Sequence, residues 1–324
     1  MPELQRAPAR VFRSPVMDSR RWDGFQPRDG DIVIATYPKC GTTWTQRIVD
    51  LLVHQSADVR PFGNISRWLD STIFSPVEED LATLEAQTHR RYIKSHLPFD
   101  ALPVWDSVKY IHVGRDPRDQ ALSWKNHEEG FRPEIRAEVG AKAMALAAEM
   151  GAAPSGPPPA SPEDPHAYML QWLDGLEASL DGPDGGASTF FGFEASYWEE
   201  RRRPNLLFVH YDDLQQDLAG EMRRISDFLE IATPDSLMPT LVRAARFESM
   251  KQQGDALFPE LKTMFDRGAD RFINQGRSGR WRDHLSPEEA QRYEAIVRRA
   301  ASPALARWLE GGRRAAGDPV TAPD

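Results

Sequence analysis

The feature that most constrains this chain is an apolar run followed at once by a polar turn, in the segment Asp31–Trp44, which reads DIVIATYPKCGTTW. Its first half is rich in β-branched residues and predicts a buried strand: Ile32, Val33, Ile34 and Thr36. Pro38 and Gly41 predict a tight turn, and the apolar positions from Trp44 to Leu52 recur at helical spacing. Because backbone N–H groups point out of a helix start and its dipole favours negative charge, this junction predicts an anion site. Three side chains add donors to it: Lys39, Thr42 and Thr43.

A purely structural turn is the alternative for the same segment. Many strand–turn–helix junctions carry Gly and Thr for their geometry alone. The Walker A pattern of nucleotide-binding loops is not met, because Lys39 precedes Gly41 and the opening glycine of that motif is missing. Whether this turn is an anion site or purely structural depends on whether other segments of the chain carry residues that could bind the same anion.

Composition sets limits on the fold and the partners. With 324 residues, of which 40% are hydrophobic, the chain is long enough for one large α/β domain or two small ones around a sizeable core. The formal net charge of -9, from 49 acidic and 40 basic residues, argues against a nucleic-acid or anionic-membrane partner. The single cysteine excludes an internal disulfide and an all-cysteine metal site, and it favours a reducing compartment.

The N-terminal segment predicts an arm rather than an export signal. It begins MPELQRAPARVFRS, which is polar and interrupted by proline, and no run in the chain is apolar enough to span a bilayer. We therefore expect a cytoplasmic protein that is not integral to a membrane. Residues 1–30 are expected to form an arm in which Trp22 and Phe25 dock on the main domain.

A histidine follows the second predicted strand, Arg91–Ser95, in the string KSHLP. An exposed or capped histidine at a strand end is the ordinary interpretation of His96. Parallel sheets, however, place ligand-facing residues just beyond their strands. Histidine also suits a general base, because its pKa lies near neutrality.

The third predicted strand, Val108–Arg115, ends in the string GRDPRD and is followed by a helix through Ser123. A solvated helix start with an Arg115–Asp119 pair would explain the charges without a ligand. Alternatively, the planar fork of Arg115 can hold a phosphate at two points. The sequence leaves both interpretations open.

The remaining segments predict variable loops, an aromatic part of the core, and further strands and helices. Variable loops are expected near residues 131–165, with a helical piece at Ala141–Met150 and a proline-rich stretch, and again near 181–192. Aromatic residues between Phe190 and Trp198 favour the core over an acceptor pocket. Further strands and helices are predicted as follows: a helix within Val77–Arg91, a helix at His166–Leu180, a strand at Asn205–Tyr211, a helix at Leu214–Leu229 capped by Asp212 and Asp213, a helix at Pro239–Met250, and a final helix opened by a capping box at Ser286.

Taken together, these strings resemble the cytosolic-type sulfotransferases that use 3′-phosphoadenosine-5′-phosphosulfate (PAPS), with similarity to actinobacterial glycolipid and aryl sulfotransferases. Residues 37–44 resemble the family's 5′-phosphosulfate loop, with Cys40 where serine is usual. The KSHLP string resembles its Lys-Thr-His-Leu-Pro segment, whose histidine is the general base. The GRDPRD string resembles its 3′-phosphate segment, which implies phosphate binding by Arg115 and Ser123.

The resemblance also implies an adenine site and a closing phosphate loop. Tyr211 matches a tyrosine near the adenine, and Phe247 matches an aromatic that stacks on it opposite Trp44. The closing loop is represented by four residues: Asn274, Gln275, Gly276 and Arg277. Its chemistry departs from the family, because Asn274 and Gln275 replace two basic residues and Arg280 replaces a usual Asp. Each lost charge-assisted contact would cost about 1.5 to 3 kcal/mol, and three arginines are candidates to compensate: Arg271, Arg277 and Arg280.

The resemblance implies a three-layer, P-loop-like α/β fold with a central parallel sheet flanked by helices. It places a single sulfotransferase domain at 31–311, followed by a flexible tail at 312–324. The implied reaction moves a sulfuryl group from PAPS to a hydroxyl of a small or lipid-like acceptor, without a metal. His96 is the expected base, and Lys39 and Lys94 are expected to stabilise the developing charge, together with the N–H groups of the Lys39–Trp44 loop. A P-loop kinase or NTPase and a non-catalytic adenine-nucleotide-binding protein are the alternatives.

Overall fold

The computed structural model describes residues 2–149, 161–182, 185–187 and 189–323. Its strands, in chain order, are β1 (Leu4–Arg6), β2 (Arg13–Ser14), β3 (Met17–Asp18), β4 (Ile32–Thr36), β5 (Tyr92–Ser95), β6 (Val104–Trp105), β7 (Lys109–Gly114) and β8 (Leu206–His210). Its α-helices are α1 (Thr42–His54), α2 (Phe62–Ile65), α3 (Val77–Ala86), α4 (Pro117–Gly130), α5 (Pro133–Glu149), α6 (Pro165–Leu180), α7 (Phe190–Trp198), α8 (Tyr211–Gln216), α9 (Leu218–Phe228), α10 (Met238–Ala245), α11 (Phe247–Gln252), α12 (Gly254–Leu257), α13 (Leu261–Met264), α14 (Ala269–Phe272), α15 (Pro287–Ala300) and α16 (Pro303–Ala316). Short 3-10 helices lie at Ser19–Trp22, Phe99–Ala101, Arg280–Asp283 and Pro319–Thr321.

A parallel sheet with the strand order β5–β4–β7–β8 forms the centre of the molecule. The predicted first strand is confirmed as β4, and every one of its residues is buried. Ile32 and Ile34 pack with α1, α9 and α10, whereas Val33 and Ala35 face the cluster that contains residues of α6, α7, α15 and α16. Because successive side chains of a strand point to opposite faces, helices on both sides cover the sheet. The predicted α/β architecture is confirmed.

The carboxyl ends of the four parallel strands meet at one edge of the sheet. Each strand is followed there by a residue that the sequence analysis singled out. The turn at residues 37–41 follows β4, His96 follows β5, Arg115 follows β7, and Tyr211 follows β8. Ligands of open α/β sheets bind at this edge.

The N-terminal arm is packed on the domain, as expected. β1 pairs with β6 in an antiparallel ladder. Trp22 and Phe25 are buried in the core cluster, and Phe25 also faces the Arg91 guanidinium at 4.9 Å. The arm is therefore part of the folded core.

The described part of the predicted flexible tail is also packed. α16 continues to Ala316, and the backbone N–H groups of Arg313 and Arg314 donate to the buried carboxylate of Asp213. Ala322 packs against the core. The Asp213 carboxylate thus holds the end of α16 on the domain, and the flexibility expected for residues 312–324 stays a prediction.

Several predicted helices differ from the observed ones. The apolar stripe at 214–229 is divided between α8 and α9, because Asp217 leaves helical geometry and caps α9 by accepting from the Gly220 N–H. His210, not Asp212 or Asp213, caps α8. The predicted helix at 239–250 is likewise divided, with extended backbone at Arg246.

The segment at 131–165 contains more helix than predicted. α5 begins at Pro133, well before the predicted start at Ala141, and residues 150–160 lie outside the described part of the chain. The capping box at Ser286 is confirmed. Among the described residues, no helix is long and apolar enough to cross a bilayer.

Candidate active site

A cavity of about 1690 Å³ opens at the carboxyl edge of the sheet. Nearly every site residue expected from the sequence lines it: Lys39, Gly41, Thr42, Thr43, Trp44, Lys94, His96, Arg115, Ser123, Tyr211, Phe247, Asn274, Gln275, Gly276 and Arg277. These residues come from segments far apart in the chain. The fold therefore brings them to one place.

The turn between β4 and α1 holds two residues in left-handed geometry. Lys39 has φ 71° and Gly41 has φ 108°. A Cβ at Gly41 would lie 3.0 Å from the Tyr211 ring, so glycine also permits this close approach. Within the described ranges of the chain, no side chain caps the first N–H groups of α1, which leaves the helix start open toward the cavity.

Cys40 lies in the predicted cofactor loop with its side chain turned away from the cavity. The side chain is fully buried in the core and does not line the cavity, and its N–H donates to the carbonyl of Tyr37. Burial raises the pKa of the thiol well above its ordinary value. The place of Cys40 in the cofactor loop stays a prediction, to which only its backbone is suited.

His96 is held as a neutral base. Its Nδ1 lies 2.7 Å from the carbonyl oxygen of Thr36, which only accepts, so Nδ1 carries the proton and donates. The backbone N–H of His96 donates to Asp70 at 3.0 Å. Burial and the positive charges of Lys94 and Lys39 hold the pKa of His96 well below its ordinary value. Nε2 is therefore left with a free lone pair.

Two partly buried lysines act on this histidine and have no carboxylate partner within 4 Å among the described residues: Lys39 and Lys94. The Lys39 ammonium lies 4.3 Å from the centre of the Phe272 ring, and that of Lys94 lies 4.3 Å from the centre of Trp68. Burial lowers the pKa of Lys39 to about 7, with help from Arg115 and Lys94, and lowers that of Lys94 to about 8. An anion beside them would restore the charged form of both amines.

A second histidine, which the sequence analysis did not select, contacts Lys39. His127 Nδ1 lies 3.4 Å from the Lys39 Nζ. Burial and the nearby positive charges hold the pKa of His127 well below its ordinary value, so the ring is neutral and can accept a hydrogen bond from the amine. The signal was its spacing, because His127 follows Ser123 by four residues and therefore shares its face of α4.

Arg115 contacts both the loop after β4 and Tyr211. It donates to the Lys39 carbonyl at 2.9 Å and lies 4.2 Å from the centre of the Tyr211 ring. Its Nε is buried without a hydrogen-bond partner. The alternative pair with Asp119 is not present, because Asp119 accepts the backbone N–H groups of Gly279 and Arg280 instead.

Aromatic side chains form the wall expected for the adenine. Trp44 lies edge-on to Tyr211 with ring centres 5.4 Å apart, and its Nε1 donates to the Ala245 carbonyl at 2.8 Å. Gly276 lies against Phe247, where a Cβ would come within 2.3 Å of the ring. Gly276 therefore lets the closing loop approach this aromatic.

Much of the cavity lining is apolar. It includes these aromatic and aliphatic side chains: Phe62, Phe74, Phe131, Met144, Met250, Phe258, Leu261, Met264, Phe265 and Phe272. α5 contributes Val139, Ala143 and Ala147 to the same lining, although none of its residues is buried. The aromatics of α7 lie in the core and do not line the cavity.

Comparison with known proteins decides the family. Residues 29–308 match the sulfotransferase domain. The chain belongs to the sulfotransferase family. It is 36% identical to a glycolipid sulfotransferase of Mycobacterium bovis BCG, with 94% of this chain and 95% of that protein covered. It is also 26% identical to mouse sulfotransferase 1B1, over 87% and 86% of the two chains.

Solved structures agree with this fold. Retinol dehydratase in complex with androsterone and the inactive cofactor PAP is similar with a TM-score of 0.63 at 21% identity, covering 87% of this sulfotransferase and 85% of that chain. A mouse sulfotransferase complexed with PAP is similar with a TM-score of 0.60 at 22% identity, over 90% and 92% of the chains. This sulfotransferase therefore has the fold of its family.

Proposed function

We propose that this sulfotransferase moves the sulfuryl group of PAPS to a hydroxyl of a lipid-like acceptor, with His96 as the general base. The observation that carries the proposal is the arrangement around His96. A neutral imidazole whose Nε2 carries a lone pair lies beside the two partly buried amines of Lys39 and Lys94, which have no carboxylate partner within the part of the chain that the structure describes. That combination fits a reaction in which a hydroxyl loses a proton while negative charge moves to a departing phosphate.

The residues of the cavity fit the donor. The open N-terminus of α1, with Lys39 and Thr43, would hold the phosphosulfate, since helix starts bind such anions. Arg115 has an unpaired buried Nε that a phosphate oxygen would satisfy, and Ser123 lines the same cavity. The walls formed by Trp44 and Phe247 suit the flat faces of adenine.

The proposed step is an in-line displacement at sulfur. The acceptor oxygen forms a new S–O bond, its proton goes to His96 Nε2, and the S–O bond to the 5′-phosphate breaks as 3′-phosphoadenosine-5′-phosphate (PAP) leaves with the electron pair. Lys39 and Lys94 would stabilise the charge on the transferred group and the departing phosphate. In the related phosphoryl-transfer reactions, the positioning of the reactants and the stabilisation of charge account for most of the catalysis.

The acceptor class is proposed from the apolar part of the cavity lining. An acceptor with a long apolar portion would bury much of its surface against these aromatic and aliphatic side chains. The glycolipid sulfotransferase of M. bovis BCG supports this class. The single buried, unpaired cysteine also supports the proposed cytoplasmic location, because free thiols suit reducing compartments.

The experiment is transfer of labelled sulfate from PAPS to phenols, steroids, simple alcohols and glycolipids, with calorimetric titration of PAP. We expect PAP binding and the highest kcat/KM for the glycolipid or another long-chain alcohol. Absence of PAP binding would overturn the cofactor proposal, and magnesium-dependent ATP turnover would favour the kinase alternative. Tight PAP binding with no transfer to any acceptor would favour a non-catalytic binding protein.

A further inference from the structure

Arg280 lines the cavity directly after the closing loop. Arg280 begins the 3-10 helix Arg280–Asp283, and its side chain is half-buried. Among the described residues, its guanidinium has no hydrogen bond, no ion pair and no aromatic ring contact. Since arginine remains charged, such a group is costly to desolvate unless an anion joins it.

The other two candidate arginines are placed differently. Arg271 pairs with Glu129 at 3.4 Å and does not line the cavity. Arg277 lines it but is 63% exposed, and its Nε donates to the Gln275 side chain at 3.3 Å. Arg280 is therefore the best placed of the three to meet a ligand inside the cavity.

The nearby carboxylate does not neutralise Arg280. Both oxygens of Asp119 accept backbone N–H groups, from Gly279 and from Arg280 itself, the latter at 2.9 Å. Burial, followed by the charges of Arg277 and Arg115, lowers the pKa of Arg280, although the carboxylates of Asp119 and Asp283 act in the opposite direction. Asp119 thus fixes the loop and leaves the guanidinium charge available.

We infer that Arg280 binds the 3′-phosphate of the donor and supplies charge that Asn274 and Gln275 lack. The inference rests on the proposed function. The 3′ end is assigned because the open start of α1 and Lys39 already serve the 5′ end. Arg280 belongs to the loop whose Gly276 lies against Phe247, on the adenine side of the cavity. There it would bind the phosphate together with Arg115.

The test compares two nucleotides that differ only in the 3′-phosphate, PAP and AMP, in calorimetric titrations of the full chain. Arg280→Ala should weaken PAP binding by roughly ten- to a hundredfold, the usual cost of a charge-assisted contact. AMP binding should change by less than about twofold, since AMP lacks the group that Arg280 meets. Arg280→Lys should recover part of the loss, because it keeps the charge but not the planar fork.

Arg282→Ala is the matched control, because Arg282 lies in the same 3-10 helix, stacks on Trp281 at 4.5 Å and does not line the cavity. It should bind PAP as the parent does. If Arg280→Ala binds PAP as tightly as the parent, or loses AMP and PAP affinity equally, the inference is wrong while the proposed function stands. If the parent itself does not bind PAP, both fail.

Discussion

The protonation states of the side chains around the turn after β4 depend on contacts that the sequence alone does not reveal. The string KSHLP identified His96 as a candidate base, but its tautomer depends on the Thr36 carbonyl at the end of another strand. Likewise, the low pKa of Lys39 depends on burial and on Arg115. Sequence similarity located these residues, whereas their protonation states required the three-dimensional contacts.

Replacing His96 tests the proposed base. His96→Ala should lower kcat by roughly 10²- to 10⁴-fold, the range that general base catalysis contributes, while PAP affinity changes little. Transfer from labelled PAPS and PAP titration measure the two effects. His166→Ala, on the surface, is the control and should match the parent. Near-normal turnover by His96→Ala would contradict the assignment.

The pH dependence of PAP binding tests the state of Lys39. In the free protein the pKa of Lys39 is lowered to about 7, and a bound phosphate would raise it. Affinity should therefore be greatest below pH 7 and fall as the pH rises through 7, by at most about tenfold per unit from this group.

A substitution of Lys39 separates its contribution to the pH dependence of PAP binding from that of Lys94. Lys39→Met should remove the decline nearest pH 7 and leave the part due to Lys94, whose pKa is about 8. Calorimetry in buffers of different ionisation enthalpy should show proton uptake by the parent. A flat affinity profile of the parent between pH 7 and pH 9 would count against the role of Lys39.

At the scale of elements, the strands were predictable and the helix breaks were not. Four apolar runs bounded by polar turns gave β4, β5, β7 and β8 to within one residue at each end. The stripe from Leu214 to Leu229 concealed the break at Asp217, because α8 and α9 both pack into the same core and keep one apolar face. Periodicity reports which face is buried, so it does not detect a break that preserves the face.

α5 lines the cavity, so we expect it to contact the acceptor. Ala143→Glu would place a charge among apolar walls, so KM for a long-chain acceptor should rise by about tenfold or more. PAP affinity should stay unchanged, because no residue of α5 belongs to the proposed donor site. The acceptor series and PAP titration measure these two quantities.

Ala145→Glu is the matched control for Ala143→Glu, because Ala145 is exposed and does not line the cavity. It should leave KM unchanged. Both variants should melt close to the parent, since no residue of α5 is buried. Equal effects of the two variants on KM would show that α5 does not contact the acceptor.

At the scale of the whole molecule, the segments before and after the central domain are joined to its core. We propose that residues 31–311 form one catalytic domain on which the arm and the C-terminal segment are permanently packed. Trp22 and Phe25 of the arm and the backbone of Arg313 and Arg314 supply the contacts. The burial of Trp22 and Phe25 could be predicted from the sequence, because large aromatics favour burial. The contacts of Arg313 and Arg314 could not, because they depend on backbone N–H groups.

Replacing Phe25 by alanine tests whether the N-terminal arm is firmly packed on the domain. Phe25→Ala should lower the free energy of unfolding by about 3 to 5 kcal/mol, because a fully packed aromatic leaves a cavity when removed. Denaturant unfolding measures the change. Val11→Ala, at a site that is 61% exposed, should cost less than about 0.5 kcal/mol. A similar small cost at Phe25 would mean that the arm is only loosely docked.

The buried thiol at Cys40 has a practical consequence for following α5. As the only cysteine of the chain, and one that is fully enclosed with a raised pKa, it should resist alkylating reagents while the protein is folded. A cysteine introduced at Ala145 would then be the one reactive handle. A fluorophore or spin label attached there would report directly whether the helix shifts when nucleotide or acceptor enters, without first removing any native thiol.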